Sequence, residues 1–164
     1  MMLGRVIMLV VVAFGGCAAP LPPPPPPSGL TTVTVAPVGN KTGSALVIAG
    51  DTYVEKWMGV TRRTVPDALA HELETALHDK GFAGGSGPRL TVVLRRFEPD
   101  LPQLSYVTVS LTATLTDSDG TVRWTADRAS WLVSTSGSPS LKAAYETAVR
   151  TVAHGLIADW QPAS

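Results

Sequence analysis

Residues 106–133 read YVTVSLTATLTDSDGTVRWTADRASWLV. Val107, Val109, Leu111, Ala113 and Leu115 fall on one side of a two-residue alternation, with Thr108, Ser110, Thr112, Thr114 and Thr116 on the other. Successive side chains of an extended strand point to opposite faces, so the pattern predicts a strand with one buried and one wetter face. Asp117-Ser118-Asp119-Gly120 is turn chemistry, and Val122, Trp124 and Ala126 resume the alternation behind it. The stretch therefore reads as a long antiparallel hairpin. Its apolar face needs a cover, which the rest of the chain must supply.

Working outward, RLTVVLRRFEP (89–99) alternates at Leu90, Val92 and Leu94 and predicts a third strand. TVPDALAHELETALHDKGF (64–82) places Leu69, Leu73 and Leu77 four residues apart, one apolar helix stripe with Val65, Ala76 and Phe82 nearby. Pro66 suits a first turn, Asp67 sits where the helix dipole favours an anion, and Lys80-Gly81 is a stop. LKAAYETAVRTVAHGLIADW (141–160) repeats Leu141, Tyr145, Ala148, Val152 and Leu156 at helical spacing, with Ser140 as its cap. LTTVTVAPV (30–38) predicts a first strand, stopped by Pro37 and GNKTG (39–43). Residues 44–63 show no clean period, although ALVIAG (45–50) fits a short edge strand. The expected fold class is α+β, in the order β-α-β-β-β-α, with two helices packed on one face of a mainly antiparallel sheet.

The front of the chain has a different character. Val6–Phe14 is an apolar run behind Arg5, followed by Gly15, Gly16 and Cys17, the sole cysteine. A nine-residue helix rises about 14 Å, half of a bilayer's hydrocarbon core of about 30 Å, so the run fits a secretory signal rather than a spanning anchor. The order of basic residue, apolar run, small residues and cysteine over residues 1–18 resembles the lipobox of bacterial lipoproteins, with Phe14 where that motif prefers an aliphatic residue. The resemblance implies cleavage before Cys17 and acylation of its thiol. It also accounts for an exported chain with one unpaired cysteine. Ala18, rather than Asp, implies the outer membrane by the enterobacterial sorting rule. AAPLPPPPPPSG (18–29) reads as a stiff polyproline II spacer. The expected organisation is a signal peptide at 1–16, an acylated cysteine and proline-rich linker at 17–29, and a single periplasmic domain at 30–164.

Charge excludes several classes of function. The chain carries 13 Lys and Arg against 13 Asp and Glu, a balance that offers nucleic acid no basic surface excess. Beyond that front run, no apolar stretch reaches the roughly 18 residues that a membrane span needs.

Motifs that carry chemistry are nearly absent. HELET (71–75) has Thr75 where a zinc protease places its second histidine, so that motif is broken. Asp67, His71, Glu74 and His78 still share one helical stripe, a weaker candidate for a metal. GNKTG lacks the spacing of a phosphate loop, and Asp117–Gly120 lacks the distal ligands of a calcium loop. His154 has no nucleophile motif to serve. Arg62-Arg63 and Arg95-Arg96 are paired cations suited to anionic headgroups. Trp124 is expected in the core, whereas Trp57 lies in the aperiodic segment, where an aromatic can anchor a partner.

With these features together, the lipobox, VTVAPVGNKTG (33–43), the leucine-stripe helix and the Asp-Gly hairpin, the chain resembles small envelope lipoproteins, most of all the YajG-like family. More distantly it is similar to the lipopolysaccharide-assembly lipoprotein, the auxiliary lipoproteins of ABC-type lipid transport and the penicillin-binding-protein activators. These families imply a non-enzymatic binding or scaffold role at the outer membrane, an envelope protein or lipid as partner, and no cofactor. Cys17 is the expected lipid site, Trp57, Arg95 and Arg96 are candidate partner contacts, and no catalytic or metal residue is assigned. The alternatives are a metal-dependent hydrolase using the His71/His78 helix face and a lipid-binding module with a pocket between sheet and helices.

Overall fold

In the computed structural model, which describes residues 24–49 and 63–163, the hairpin forms as its alternation requires. We label the strands β1 (Thr34–Val35), β2 (Gly39–Asn40), β3 (Val47–Ala49), β4 (Arg63–Thr64), β5 (Arg89–Pro99), β6 (Tyr106–Thr116) and β7 (Val122–Ser134). The helices are α1 (Val65–Asp79) and α2 (Leu141–Leu156). The β6 residues Val107, Val109, Leu111, Ala113 and Leu115 are each 1% exposed or less. At the turn, Asp117 N–H donates to Thr121 O at 2.8 Å and Gly120 adopts φ 88°, a conformation that favours glycine. The Thr121 N–H also donates to the Asp119 carboxylate at 2.9 Å and holds that carboxyl below its ordinary pKa.

β5, β6 and β7 pair antiparallel in sequence order. The sheet is completed by β1 and β2, which both pair in parallel with β5. The sheet is thus five-stranded, mixed and mostly antiparallel, and the fold class is α+β. The first strand differs from its sequence reading. Pairing is confined to Thr34–Val35, lapses at Pro37, which has no N–H to give, and resumes at Gly39–Asn40 inside the segment expected to be only a turn. Within that turn the Asn40 side chain organises the backbone, accepting from Thr42 N–H at 3.0 Å and donating to Ser44 O at 2.9 Å. β3 does form, in a separate two-stranded antiparallel pair with β4.

Both helices are capped, the second at Ser140 as expected and the first at Thr64. Thr64 Oγ1 accepts from Asp67 N–H at 3.3 Å, and Ser140 Oγ accepts from Ala143 N–H at 3.2 Å. Glu72 lies 3.8 Å from Arg150, and Lys80 Nζ donates to Ala158 O at 2.5 Å, so the helices run side by side in the same direction. Their apolar stripes, Leu69, Leu73 and Leu77 on α1 and Tyr145, Ala148, Val152 and Leu156 on α2, join the inward residues of the sheet in one core. Two terminal expectations change. Leu141, counted in the apolar stripe, is 40% exposed at the first position of the helix. The last helix stops at Leu156 instead of Trp160. Trp160 is buried beyond it, edge-on to Trp124 (centroids 5.0 Å) and to Phe82 (6.3 Å).

The signal segment, Cys17, Pro22, Pro23, Trp57 and Arg62 lie outside the described residues. The described end of the proline segment does not stand free of the domain. Trp124 Nε1–H donates to Pro25 O at 3.0 Å and, less closely, to Pro24 O at 3.4 Å.

Candidate functional site

Two strands break their alternation at paired charged residues. In β5 the inward residues are Leu90, Val92 and Leu94, then Phe97. In β7 they are Trp124 and Ala126, then Ala129 and Val133. A period-2 strand can change parity only by inserting a residue, which is a β-bulge. The register shows both insertions. Leu94 and Arg96 oppose Leu111 and Ser110, leaving Arg95 without a partner. Ala126 and Ala129 oppose Ala113 and Leu111, leaving Asp127 and Arg128 together against Thr112. Arg128 takes φ 55°, a left-handed conformation unusual for a side chain of its size.

Both bulges abut one short stretch of β6, from opposite sides. There, Arg95, Ser110, Thr112, Asp127 and Arg128 line a concavity of about 360 Å³ on the sheet face opposite the helices. Thr112 Oγ1 donates to Asp127 Oδ1 at 3.3 Å. Neither Arg95 nor Arg128 forms an ion pair among the described residues. Two guanidinium forks, one carboxylate and two hydroxyls leave a net positive, donor-rich surface. Such a donor set recognises a carboxylate or phosphate, since a planar fork matches two oxygens at once.

The two arginines singled out from the sequence are therefore separated in role. Arg95 joins the concavity, whereas Arg96 donates to Glu98 Oε2 through Nε (2.8 Å) and Nη2 (2.6 Å) in an exposed pair. Arg128, Asp127, Ser110 and Thr112 were not distinguished by composition or motif. Their signal was present in LRRF (94–97) and ADRA (126–129), where two charged residues interrupt an alternating strand.

A third bulge explains another departure. Leu115 and Thr116 oppose Trp124 and Val122, so Arg123 is inserted and Val122, expected inward, shares the outer face with Thr116 at 57% exposure. Arg123 Nε donates to Asp117 Oδ2 at 2.7 Å.

No family model matches the chain, and no curated protein matches it. Its fold does have solved counterparts. The PelC dodecamer from Paraburkholderia phytofirmans superposes with a TM-score of 0.51 at 13% identity, over 89% of this chain and 97% of that one. A point variant of PelC gives 0.50 at 14% identity over the same shares. Protein XCC0632 from Xanthomonas campestris, a DUF330 protein, gives 0.51 at 21% identity, over 84% of this chain and 90% of that one. The likeness is one of fold, spanning nearly the whole length of each counterpart.

The remaining candidates separate in space. Glu74 and His78 line a groove of about 330 Å³ between the end of α1 and β1, walled by Val33, Val35, Leu77 and Phe82, and His71 is not among its walls. Asp67 is engaged by Thr64 at the helix cap. Among the described residues no cluster of three or more His, Cys, Asp or Glu is placed to hold a metal. Trp124, expected in the core, is buried there, and Trp160 with it.

Proposed function

We propose that the chain is a lipoprotein of the bacterial cell envelope, held at the outer membrane through acylated Cys17. Its periplasmic domain would act as a non-enzymatic binding component of envelope assembly or transport. The observation that carries this reading is the paired-bulge concavity, which presents Arg95 and Arg128 to an anionic group of a partner. The lipobox-like order of residues 1–18 supports the anchor. The fold shared with PelC and XCC0632, and the resemblance to YajG-like lipoproteins, support the envelope assignment.

Two measurements test the two halves of the proposal. Cys17→Ser should abolish labelling by a radioactive palmitate precursor and leave unprocessed chain; persistent label refutes the anchor. For the site, calorimetry with polygalacturonate and polyphosphate, against neutral dextran, should give binding only to the anionic polymers. The double variant R95A/R128A should weaken it by about tenfold or more. Equal binding of dextran, or an unaffected variant, refutes the site.

The groove between α1 and β1 favours a second reading, a small apolar ligand held against Leu77 and Phe82. Native mass spectrometry of the purified chain detects such a ligand directly, and its consistent absence removes this reading.

A further inference from the structure

The described prolines lie along the domain in a repeating manner. Pro24 and Pro27 are half-buried, while Pro25 and Pro26 between them are exposed. Polyproline II has three residues per turn, so residues i and i+3 share one edge of the helix. The segment therefore presents one edge to the domain and turns the others to solvent.

What receives that edge is equally specific. The Trp124 indole has a single polar atom, and that N–H donates to Pro25 O. The ring is held edge-on against Trp160, which is held edge-on against Phe82. Pro26, Pro27, Ser28 and Gly29 border a further concavity with Arg123, the residue inserted by the first bulge of β7. Leu30 then anchors the segment: its side chain is 2% exposed, and its carbonyl accepts from Ala163 N–H at 2.6 Å.

Proline suits this role for two reasons. Its carbonyls have no competing local N–H partners, so they remain free to accept. Its fixed φ means that little chain entropy is lost on docking. An aromatic groove with an N–H donor is a known means of reading such a helix.

We propose that Trp124 and Arg123 form a proline-peptide recognition site occupied in cis by the chain's own Pro24–Pro27. The proline-rich segment is then a docked strap for its last turn and a spacer only before it. Six residues lie between Cys17 and Pro24, so Pro24 is seven steps along the chain, a reach of about 22 Å at about 3.1 Å per residue. On the lipid-anchor reading proposed above, the docked strap turns toward the membrane the pole bearing the Asp117–Gly120 turn and the C-terminal tail. Site occupation by an unrelated proline-rich peptide would require displacement of this strap.

Nuclear magnetic resonance on the full chain in detergent micelles tests the proposal. The chain has four tryptophans, and Trp124→Phe assigns the Trp124 indole signal. In the unaltered chain that proton should show nuclear Overhauser contacts to Pro24 and Pro25. In the variant P24S/P25G/P26S/P27G the signal should move and exchange about tenfold faster with solvent, with the Trp131 signal unchanged. A synthetic peptide of residues 18–29 should restore the signal when added to that variant, and should not perturb the unaltered chain. The absence of proline contacts in the unaltered chain overturns the proposal even if the variant fails to fold. A folded variant that ignores the peptide at millimolar concentration overturns recognition.

Discussion

Arg95 and Arg128 sit on strands that never pair with each other, yet each belongs to a bulge against the same Ser110–Thr112 stretch of β6. An unbroken alternation would not hold both where they are. β5 would turn Phe97 outward, and β7 would turn Ala129 and Val133 outward. The bulges keep those apolar residues in the core and leave the arginines on the solvent face.

Arg128 occupies a left-handed conformation (φ 55°) in which a side chain costs about 1–2 kcal/mol. Arg128→Gly should therefore raise stability by about 0.5–1 kcal/mol in urea unfolding. The same change should weaken binding of an anionic polymer. Lower stability would show that Arg128 is held by contacts rather than strained.

Gly155, inside α2, faces the Trp131 indole so closely that a Cβ there would lie 2.8 Å from Nε1. Helix propensity favours Gly155→Ala by about 1 kcal/mol, while overpacking costs about 1–3 kcal/mol. The expected net effect is a loss on the order of 1 kcal/mol. In a Trp131→Ala background the sign should reverse, which a double-mutant cycle measures directly.

Tyr145 packs edge-on to Phe97 with centroids 4.9 Å apart, and burial raises its hydroxyl above the ordinary pKa of 10.0. The neutral form is therefore the one the folded state prefers. Its contribution is complete below the unfolded-state pKa of about 10 and is lost as pH rises through the folded value. Unfolding midpoints measured from pH 8 to about 11 should fall more steeply for the unaltered chain than for Tyr145→Phe. Identical slopes would refute the assignment.

Trp160 lies past the last helix, yet it is 2% exposed and bridges Phe82 to Trp124. Trp160→Ala should cost about 3–5 kcal/mol, as for other buried aromatics. Because Trp124 rests on it, the variant should also loosen the proline strap, visible as a shift of the Trp124 indole signal. Loss of stability below about 1 kcal/mol would mean that the tail is only lightly seated.

The hairpin, the two capped helices and the α+β layering were legible because each depends on local spacing. Alternation at Val107–Leu115 names a buried strand face, and the leucine stripe of α1 names a helix face that must meet it. The parallel pairing of β1 and β2 with β5 was not legible, because nothing within residues 30–43 specifies a partner fifty residues away. Likewise Arg95 and Arg96 are adjacent and chemically identical in sequence. Only the register reveals that one is inserted and the other faces Glu98.

By itself, then, the sequence determined the buried face of β6 and of the first half of β5, the apolar stripe of α1, and the hydrophobic surface each of these must cover. Its front end also carries the lipobox-like order at Cys17, which is a local pattern. Tertiary structure alone decided the register, and with it the parity changes at Arg95, Arg123 and Arg128. It also decided the position of Trp160 and the docking of Pro24–Pro27 on Trp124. The physical reason is the range of the forces involved. Periodicity and capping are set by neighbours within a turn or two, whereas a bulge, a tail or a strap is fixed by what it must pack against across the fold.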